Sequence, residues 1–442
     1  MQKLGRKTWL AIILFSLCGH VAWTIENMLF NVFISEEFGA SLNNIALMVS
    51  ISAVAATVTT LLMGALSDKV GKRKIFICSG YLLWGLSIMA FAFLKVENLS
   101  RIFGASVNAL ALGVGLTITF DVIMTFFGST ANDAAYNAWL TDITEENSRG
   151  KVEGINSAMP LVAILVVFGG QMLVDKNPNK WSIIFLTIGI LVFLVGILGI
   201  FIIHEPKLEK KDEAYFKNIF YGFTPSVIKS NKTLYILLSG MMIFSISVQV
   251  FMPYLIIYFE RTIMLPNYVL VFAPAIVVAA IFTALYGKYV DSKGFLKTSI
   301  FSLSVYLLGL LLLAIFTNIV FVFLGTLFMM IGYLSLGAVF QTKIRDYTPL
   351  GKVGSFQGIR IFTAVLVPML IGPWIGSILS GNSSGASFGV VGDNYTPSSM
   401  IFLGALVVGV LTFAIIYFAN KMIGRKNGEV DVKLQFDDAR GE

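Results

Sequence analysis

The sequence predicts an all-α membrane protein, twelve transmembrane helices in two six-helix bundles, on three observations: its composition, its twelve long apolar stretches, and motifs repeated between its halves. Of 442 residues, 57% are apolar or aromatic and only 13% are charged, with a mean hydropathy of +0.83. A water-soluble chain cannot hide that much apolar surface. The stretches are about 20 residues or longer, which is what a helix rising ~1.5 Å per residue needs to cross a ~30 Å hydrocarbon layer. They are continuous and lack alternation of period two, which excludes a transmembrane β-barrel.

Taken in order, the spans fall near 8–34, 42–66, 75–94, 108–141, 152–173 and 182–203, then near 233–258, 266–288, 297–315, 318–343, 353–379 and 398–423. The first follows Lys3, Arg6 and Lys7 but runs well past the 7–15 residues of a signal-peptide core, so it is expected to be retained. Residues 204–231, with Lys207, Glu209, Lys210, Lys211, Asp212 and Glu213, are too polar to span and read as a linker. The expected domains are therefore 1–203, linker 204–231, 232–424, and a tail at 425–442.

Basic residues are retained on the cytoplasmic side of a membrane. With the amino terminus inside, 26 of the 32 Lys and Arg lie in inner segments, five lie outside (Lys95, Arg101, Lys176, Lys180 and Arg261), and Arg360 lies within a span. Both termini are thus expected in the cytoplasm of a cell that carries the protein in its plasma (inner) membrane. The net charge of +7 reflects this topology and contact with anionic lipid, and gives no support for nucleic-acid binding. Cys18 and Cys78 build no disulfide framework, and His20 and His204 alone make a zinc site implausible. No Walker loop and no Ser/His/Asp constellation is present, so neither ATP drive nor an enzyme is expected, and no cofactor.

Internal duplication turns a membrane protein into a transporter candidate. Gly64, Asp68 and Gly71 recur 223 residues later as Gly287, Asp291 and Gly294, each set fitting G-x-x-x-D-x-x-G after the second span of a half. Asp142 and Gly154, flanking Arg149, recur at an offset of 204 as Asp346 and Gly358. On these residues, with Arg73 and Lys74, the chain resembles the major facilitator superfamily over residues 8–424. That resemblance implies two bundles rocking about a central site. Within the superfamily, Asp133, Tyr136, Asn137, Trp139 and Asp142 look like the fourth helix of the glycoside-pentoside-hexuronide cation symporters and the sucrose-proton symporters. Trp23, in Gly19-His20-Val-Ala-Trp23-Thr-Ile-Glu26, is similar to the first helix of the sucrose branch. The two carboxylates of the melibiose branch's sodium site fall here on Ala56 and Thr60, and its helix-one aspartate falls near His20, which favours proton coupling or a different solute.

The residues alone also mark a cavity. A charge facing lipid costs ~2.5 kcal/mol or more, yet Glu26, Asp121, Asp133 and Arg360 stand within spans. At ~100° per residue, His20, Trp23, Glu26, Asn27 and Asn31 share an arc of about 140°, and Asp121, Thr125, Ser129, Asn132, Asp133 and Tyr136 one of about 120°. Asn137 follows at the end of the second stripe. The repeated loops are read as a latch: Asp68 would accept from the amino end of helix eleven, and Arg73 would pair with Asp142. The functional expectation is proton- or sodium-coupled symport of a sugar or glycoside-like solute by a monomer surrounded by lipid. An exporter of amphipathic drugs or lipids is the alternative, and a non-transporting receptor or scaffold a third reading.

Overall fold

In hydrocarbon each backbone amide must be satisfied within the protein, so a long apolar run folds as a helix. The computed structural model describes residues 5–104, 108–144, 146–205, 220–265, 267–349, 356–380 and 396–438, and its regular elements are helices, with no strand among those residues. The spanning helices are α1 Arg6–Phe38, α2 Leu42–Val70, α3 Arg73–Phe93, α4 Ala109–Ile143, α5 Glu146–Val174 and α6 Lys180–Ile202 in the first half. The second half gives α7 Lys232–Thr262, α8 Val269–Gly287, α9 Ser292–Ile315, α10 Ile319–Tyr347, α11 Gln357–Leu379 and α12 Met400–Asp438. Eleven are long and apolar enough to cross a membrane, and α5 contributes the shorter apolar stretch Ala158–Val174.

Local chemistry sets where helices begin and bend. The side chains of Ser41, Asn108 and Asn318 accept from backbone N–H groups at the starts of α2, α4 and α10, supplying acceptors that the first turn lacks. Gly71, at φ 69°, ends α2 and turns the chain into α3, and Gly294, at φ 76°, breaks the helical path just after the first residues of α9. Glycine adopts that left-handed region without a Cβ penalty.

The chain divides into two compact units; one boundary, after residue 216, falls within the expected linker 204–231, and two segments of the second half also group with the first. The first gathers residues 1–216 with Phe251–Ala273 and Met369–Ile401. The reason is a set of contacts made by the ends of α7 and α11 inside this unit. Trp374 Nε1 donates to Ser50 Oγ at 3.0 Å, and the Tyr254 hydroxyl lies 2.7 Å from the Pro373 carbonyl and 3.2 Å from that of Leu42. Arg261 Nη1 donates to Ser35 Oγ at 3.1 Å, and Ser377 bonds to Asn43. Within the unit α3 and α6 cross at glycines: a Cβ on Gly85 would strike the Phe193 amide and the Gly189 carbonyl, and one on Gly189 would strike the Gly85 carbonyl.

The second unit comprises Lys217–Val250, Pro274–Pro368 and Phe402–Glu442. Here Ser247 of α7 bonds to the Ala405 carbonyl at 2.5 Å and lies 3.0 Å from the Tyr306 hydroxyl, joining α7, α9 and α12. A Cβ on Gly309 would meet the Met329 amide and the Gly325 carbonyl, so α9 and α10 also approach backbone to backbone.

Candidate functional site

The three carboxyls expected within spans, Glu26, Asp121 and Asp133, belong to the first unit, on helices that depart from ordinary α geometry at two of them. In α1 the amide of Phe30 donates to the Ile25 carbonyl, five residues back, so Ile25–Leu29 forms a π turn that contains Glu26. In α4 the stretch Ser129–Tyr136, which contains Asp133, is wound the same way and closes with Asn137 donating to Asn132. A π turn inserts one extra residue per turn, which redirects side chains and frees carbonyls, and such turns occur frequently at functional sites.

Glu26 is buried between α1, α2 and α4. Its Oε1 accepts from Ser52 Oγ at 2.7 Å and from Thr125 Oγ1 at 2.9 Å, and those two hydroxyls lie 2.8 Å apart. Its Oε2 is buried with no hydrogen-bond partner. Asp121 stands one turn before Thr125, where residues four apart share a helix face, and is also buried, with Oδ1 unpartnered. The structure therefore brings Glu26 and Asp121 together.

Asp133 belongs to a second cluster. Ser129 donates to its Oδ2 at 3.1 Å and Asn132 to its Oδ1 at 3.4 Å, while its side chain is half-buried rather than enclosed. The Trp23 indole nitrogen faces this carboxyl without reaching hydrogen-bond geometry, and its ring packs on Trp84 at 5.0 Å between centroids. Behind them the Tyr81 hydroxyl lies 2.8 Å from the Phe15 carbonyl and 3.0 Å from Asn132 Oδ1. Tyr136 is fully buried against Phe15, its hydroxyl donating to the Ile12 carbonyl at 2.8 Å, so it is committed to packing between α1 and α4. His20 is half-buried, while Asn27 and Asn137 are exposed and donate to the carbonyls of Trp23 and Asp133. Arg360, near the start of α11 in the second unit, is half-buried and makes no ion pair among the described residues.

The loop between α2 and α3 carries a charge cluster. Arg73 is 6% exposed and pairs with Asp68, donates from Nε to Asp142 Oδ2 at 3.0 Å, and donates from Nη1 to Ser67 Oγ at 2.6 Å. Glu205, just past the end of α6, caps α3: its carboxylate accepts from the Arg73 amide at 2.6 Å and the Lys74 amide at 3.1 Å. Gly64 contributes its carbonyl to Ser67. In the second half Gly287 is exposed, and Asp346 pairs with Lys343 on its own helix at 2.9 Å. The side chains of Arg149 and Asp291 lie outside the described residues, as do residues 350–355, where the expected partner of Asp68 falls.

A cluster that the sequence reading did not single out lies at the other end of the first unit. Lys180 sits 2.9 Å from Glu36 and 3.5 Å from Asp175, and Trp181 Nε1 donates to Glu36 at 3.0 Å. Beside it, Gln171, Asp175, Lys176, Glu260, Asn267 and Tyr268 line a cavity of about 270 Å³. Glu260 lies on a third π turn, Tyr258–Thr262. The only signal in the sequence was that Glu36, Asp175, Lys180 and Glu260 all fall at span ends on one face of the membrane.

The family description Major Facilitator Superfamily matches residues 12–373. No curated protein matches the chain by sequence. Among solved structures, a bacterial homologue of the human lysosomal transporter Spinster, inward-facing and unoccupied, is 14% identical, covers 95% of this chain and 98% of its own, and superposes with a TM-score of 0.72. A D-xylose-proton symporter is 15% identical over 92% of this chain and 97% of its own, also at 0.72. A point mutant of the nucleoside transporter NupG is 11% identical over 93% and 99%, at 0.68. At these identities the likeness is one of fold.

Proposed function

The chain belongs to the major facilitator superfamily, whose members are transporters and not enzymes, and from that premise we propose that it carries out cation-coupled symport of a sugar or glycoside-like solute by alternating access. The observation that carries this reading is Asp133: a half-buried carboxyl on a π turn, held by Ser129 and Asn132, beside an indole and with no basic partner among the described residues. Partial exposure lets it exchange a cation with water. Trp23 beside it offers an aromatic face of the kind that packs on a sugar ring. A D-xylose-proton symporter and a nucleoside transporter share the fold, which suits a hydroxylated solute. The indole pair Trp23 and Trp84 supports a second reading, export of an amphipathic solute.

Uptake of a panel of labelled solutes by proteoliposomes under imposed proton and sodium gradients decides between the two. For the right solute, Asp133→Asn abolishes accumulation against a gradient and spares solute exchange, since exchange moves no net cation. Accumulation at the parent level in this variant would assign Asp133 to structure alone.

On the charge asymmetry, we read both termini as cytoplasmic. With Cys18 and Cys78 removed, Ser100→Cys, on the short helix Val96–Phe103, then reacts with impermeant reagent on intact cells and Ser226→Cys does not. The reverse pattern refutes this orientation.

A further inference from the structure

The transport reading rests on side chains of the first unit and leaves a groove on the surface of the second unexplained. There Ile236, Ser239, Ile415, Phe418, Lys421 and Met422, from α7 and α12, line a cavity of about 410 Å³. We infer that this groove holds one anionic phospholipid of the bilayer, with an acyl chain between the two helices and the headgroup phosphate between Lys421 and Lys232. The inference goes beyond the transport reading, since it needs only that the chain span a membrane, and its test reads lipid binding without any solute.

The register of the two helices makes the groove. Ser247 bonds to the Ala405 carbonyl, and a Cβ on Gly240 would meet Ile415 Cγ2 at 3.2 Å, so numbers fall along α7 as they rise along α12 and the pair is antiparallel. The helices touch at these two levels, both within the second unit, and the groove opens beyond the second of them. Eight residues back from Gly240 stands Lys232, and eight on from Ile415 stands Ile423, two past Lys421. Both helices advance ~1.5 Å per residue, so Lys232 and Lys421 close the groove at nearly the same level. Lys232 precedes Ile236 by four residues and Lys421 follows Phe418 by three, spacings that put each lysine on the helix face of its lining neighbour.

The chemistry of the walls and of the mouth selects the occupant. Ile236, Ile415, Phe418 and Met422 are apolar, and the Ser239 hydroxyl already donates to the Tyr235 carbonyl at 2.9 Å. Water, which needs two or more polar partners, gains little there, whereas a hydrocarbon chain fits. Phe418, 58% exposed, continues an exposed apolar face of α12 that includes Val407, Val410, Leu411 and Tyr417, so the groove is open to lipid. The mouth is basic. Lys232 and Lys421 are exposed and pair with no carboxylate among the described residues, and Lys229, on the short helix Pro225–Ser230 just before α7, adds a third positive charge. A zwitterionic headgroup would bring its own ammonium to these lysines, whereas an anionic one brings only negative charge, which basic side chains at a bilayer surface attract. A two-fold dimer through this face would set lysines against lysines at the same depth. With the chain oriented by its charge asymmetry, the lipid belongs to the cytoplasmic leaflet.

The test uses the purified full-length chain in detergent micelles, titrated with phosphatidylglycerol or phosphatidylcholine of identical acyl chains and read by native mass spectrometry. One phosphatidylglycerol should be retained at least tenfold more tightly than phosphatidylcholine. Lys421→Gln and Lys232→Gln should each weaken it about fivefold, the scale of one basic side chain at an anionic surface. Lys421→Arg should keep it, and Lys297→Gln, at an exposed position on α9, should leave it unchanged. Ser239→Trp keeps the lysines and fills the groove, and should weaken retention tenfold or more. Should that variant fail to fold, judged by its melting temperature, Phe418→Ala removes the outer wall and should weaken retention severalfold. Equal retention of the two lipids, an equal loss in Lys297→Gln, or retention unchanged when the groove is filled or its wall removed would overturn the site. So would displacement of the lipid by free glycerol phosphate, which would leave a site for an anion alone, or a dimer that excludes the lipid. None of these results bears on solute uptake, and a failed uptake experiment leaves the lipid site standing.

Discussion

The loop between α2 and α3 and the loop between α8 and α9 carry the same pattern of glycines and aspartate, and they have been put to different use. Both turn at the second glycine with positive φ, Gly71 at 69° and Gly294 at 76°. Among the described residues, charge contacts surround the first of these turns, through Arg73, Asp68, Asp142 and Ser67, and Glu205 caps the helix that follows. The residues that align after the fourth span of each half diverge in the same way. Asp142 bonds across to Arg73 on another helix, whereas Asp346 is spent on Lys343 one turn away on its own. What the two halves share is the bend, which backbone sterics dictate. What one half adds is an ion-pair cluster that joins helix ends.

That difference is sharpened first at Arg73. Arg73→Gln leaves Asp68 and Asp142 without their common cation at a site where the guanidinium is 6% exposed. Breaking a buried pair by removing one partner costs about 3–5 kcal/mol, so thermal unfolding in detergent should fall by several degrees and transport by tenfold or more. A variant with parental melting and turnover would show the cluster to be ornamental. The aligned aspartates come next. Asp142→Asn should reduce transport several-fold, while Asp346→Asn, whose pair is surface-exposed and worth under about 1 kcal/mol, should leave transport within a factor of two. Equal losses at both positions would erase the asymmetry. Smallest and symmetric is the pair Gly71→Ala and Gly294→Ala, each expected to cost about 1 kcal/mol for forcing a Cβ into left-handed backbone. A large loss at one glycine alone, read by melting temperature, would mean that its turn does more than reverse the chain.

The spans were legible because hydrophobicity is a local property of twenty residues. The sequence places the fourth span near 108–141 and the tenth near 318–343, and the helices run Ala109–Ile143 and Ile319–Tyr347. The acids inside spans were legible for the same reason, since a carboxyl among leucines is conspicuous wherever its partners are. The partners were not. Ser52 and Thr125 bond to Glu26 across 26 and 99 residues, and Glu36 meets Lys180 across 144, distances over which periodicity carries no information. A wheel drawn at ~100° per residue also assumes α geometry throughout. The π turns at Ile25–Leu29 and Ser129–Tyr136 break that assumption where the polar stripes lie, and Tyr136, on the polar arc of the wheel, ends fully buried with its hydroxyl on the Ile12 carbonyl. The grouping of Phe251–Ala273 and Met369–Ile401 with the first unit was likewise out of reach, because which helix ends pack together depends on the tertiary arrangement.

The glycine crossings of α3 with α6 and of α9 with α10 set a limit on how this sequence can vary. At Gly85, Gly189 and Gly309 the space a methyl group would need is already held by backbone of the neighbouring helix. Backbone, unlike a side chain, has no alternative rotamer into which to retreat. In a library of all single substitutions selected for function, these three positions should stand out as intolerant as the carboxyls proposed for transport, for reasons of packing alone. Intolerance along this chain is therefore a record of two separate demands, chemistry at the carboxyls and sheer proximity at the crossings, and only the first of them marks a binding site.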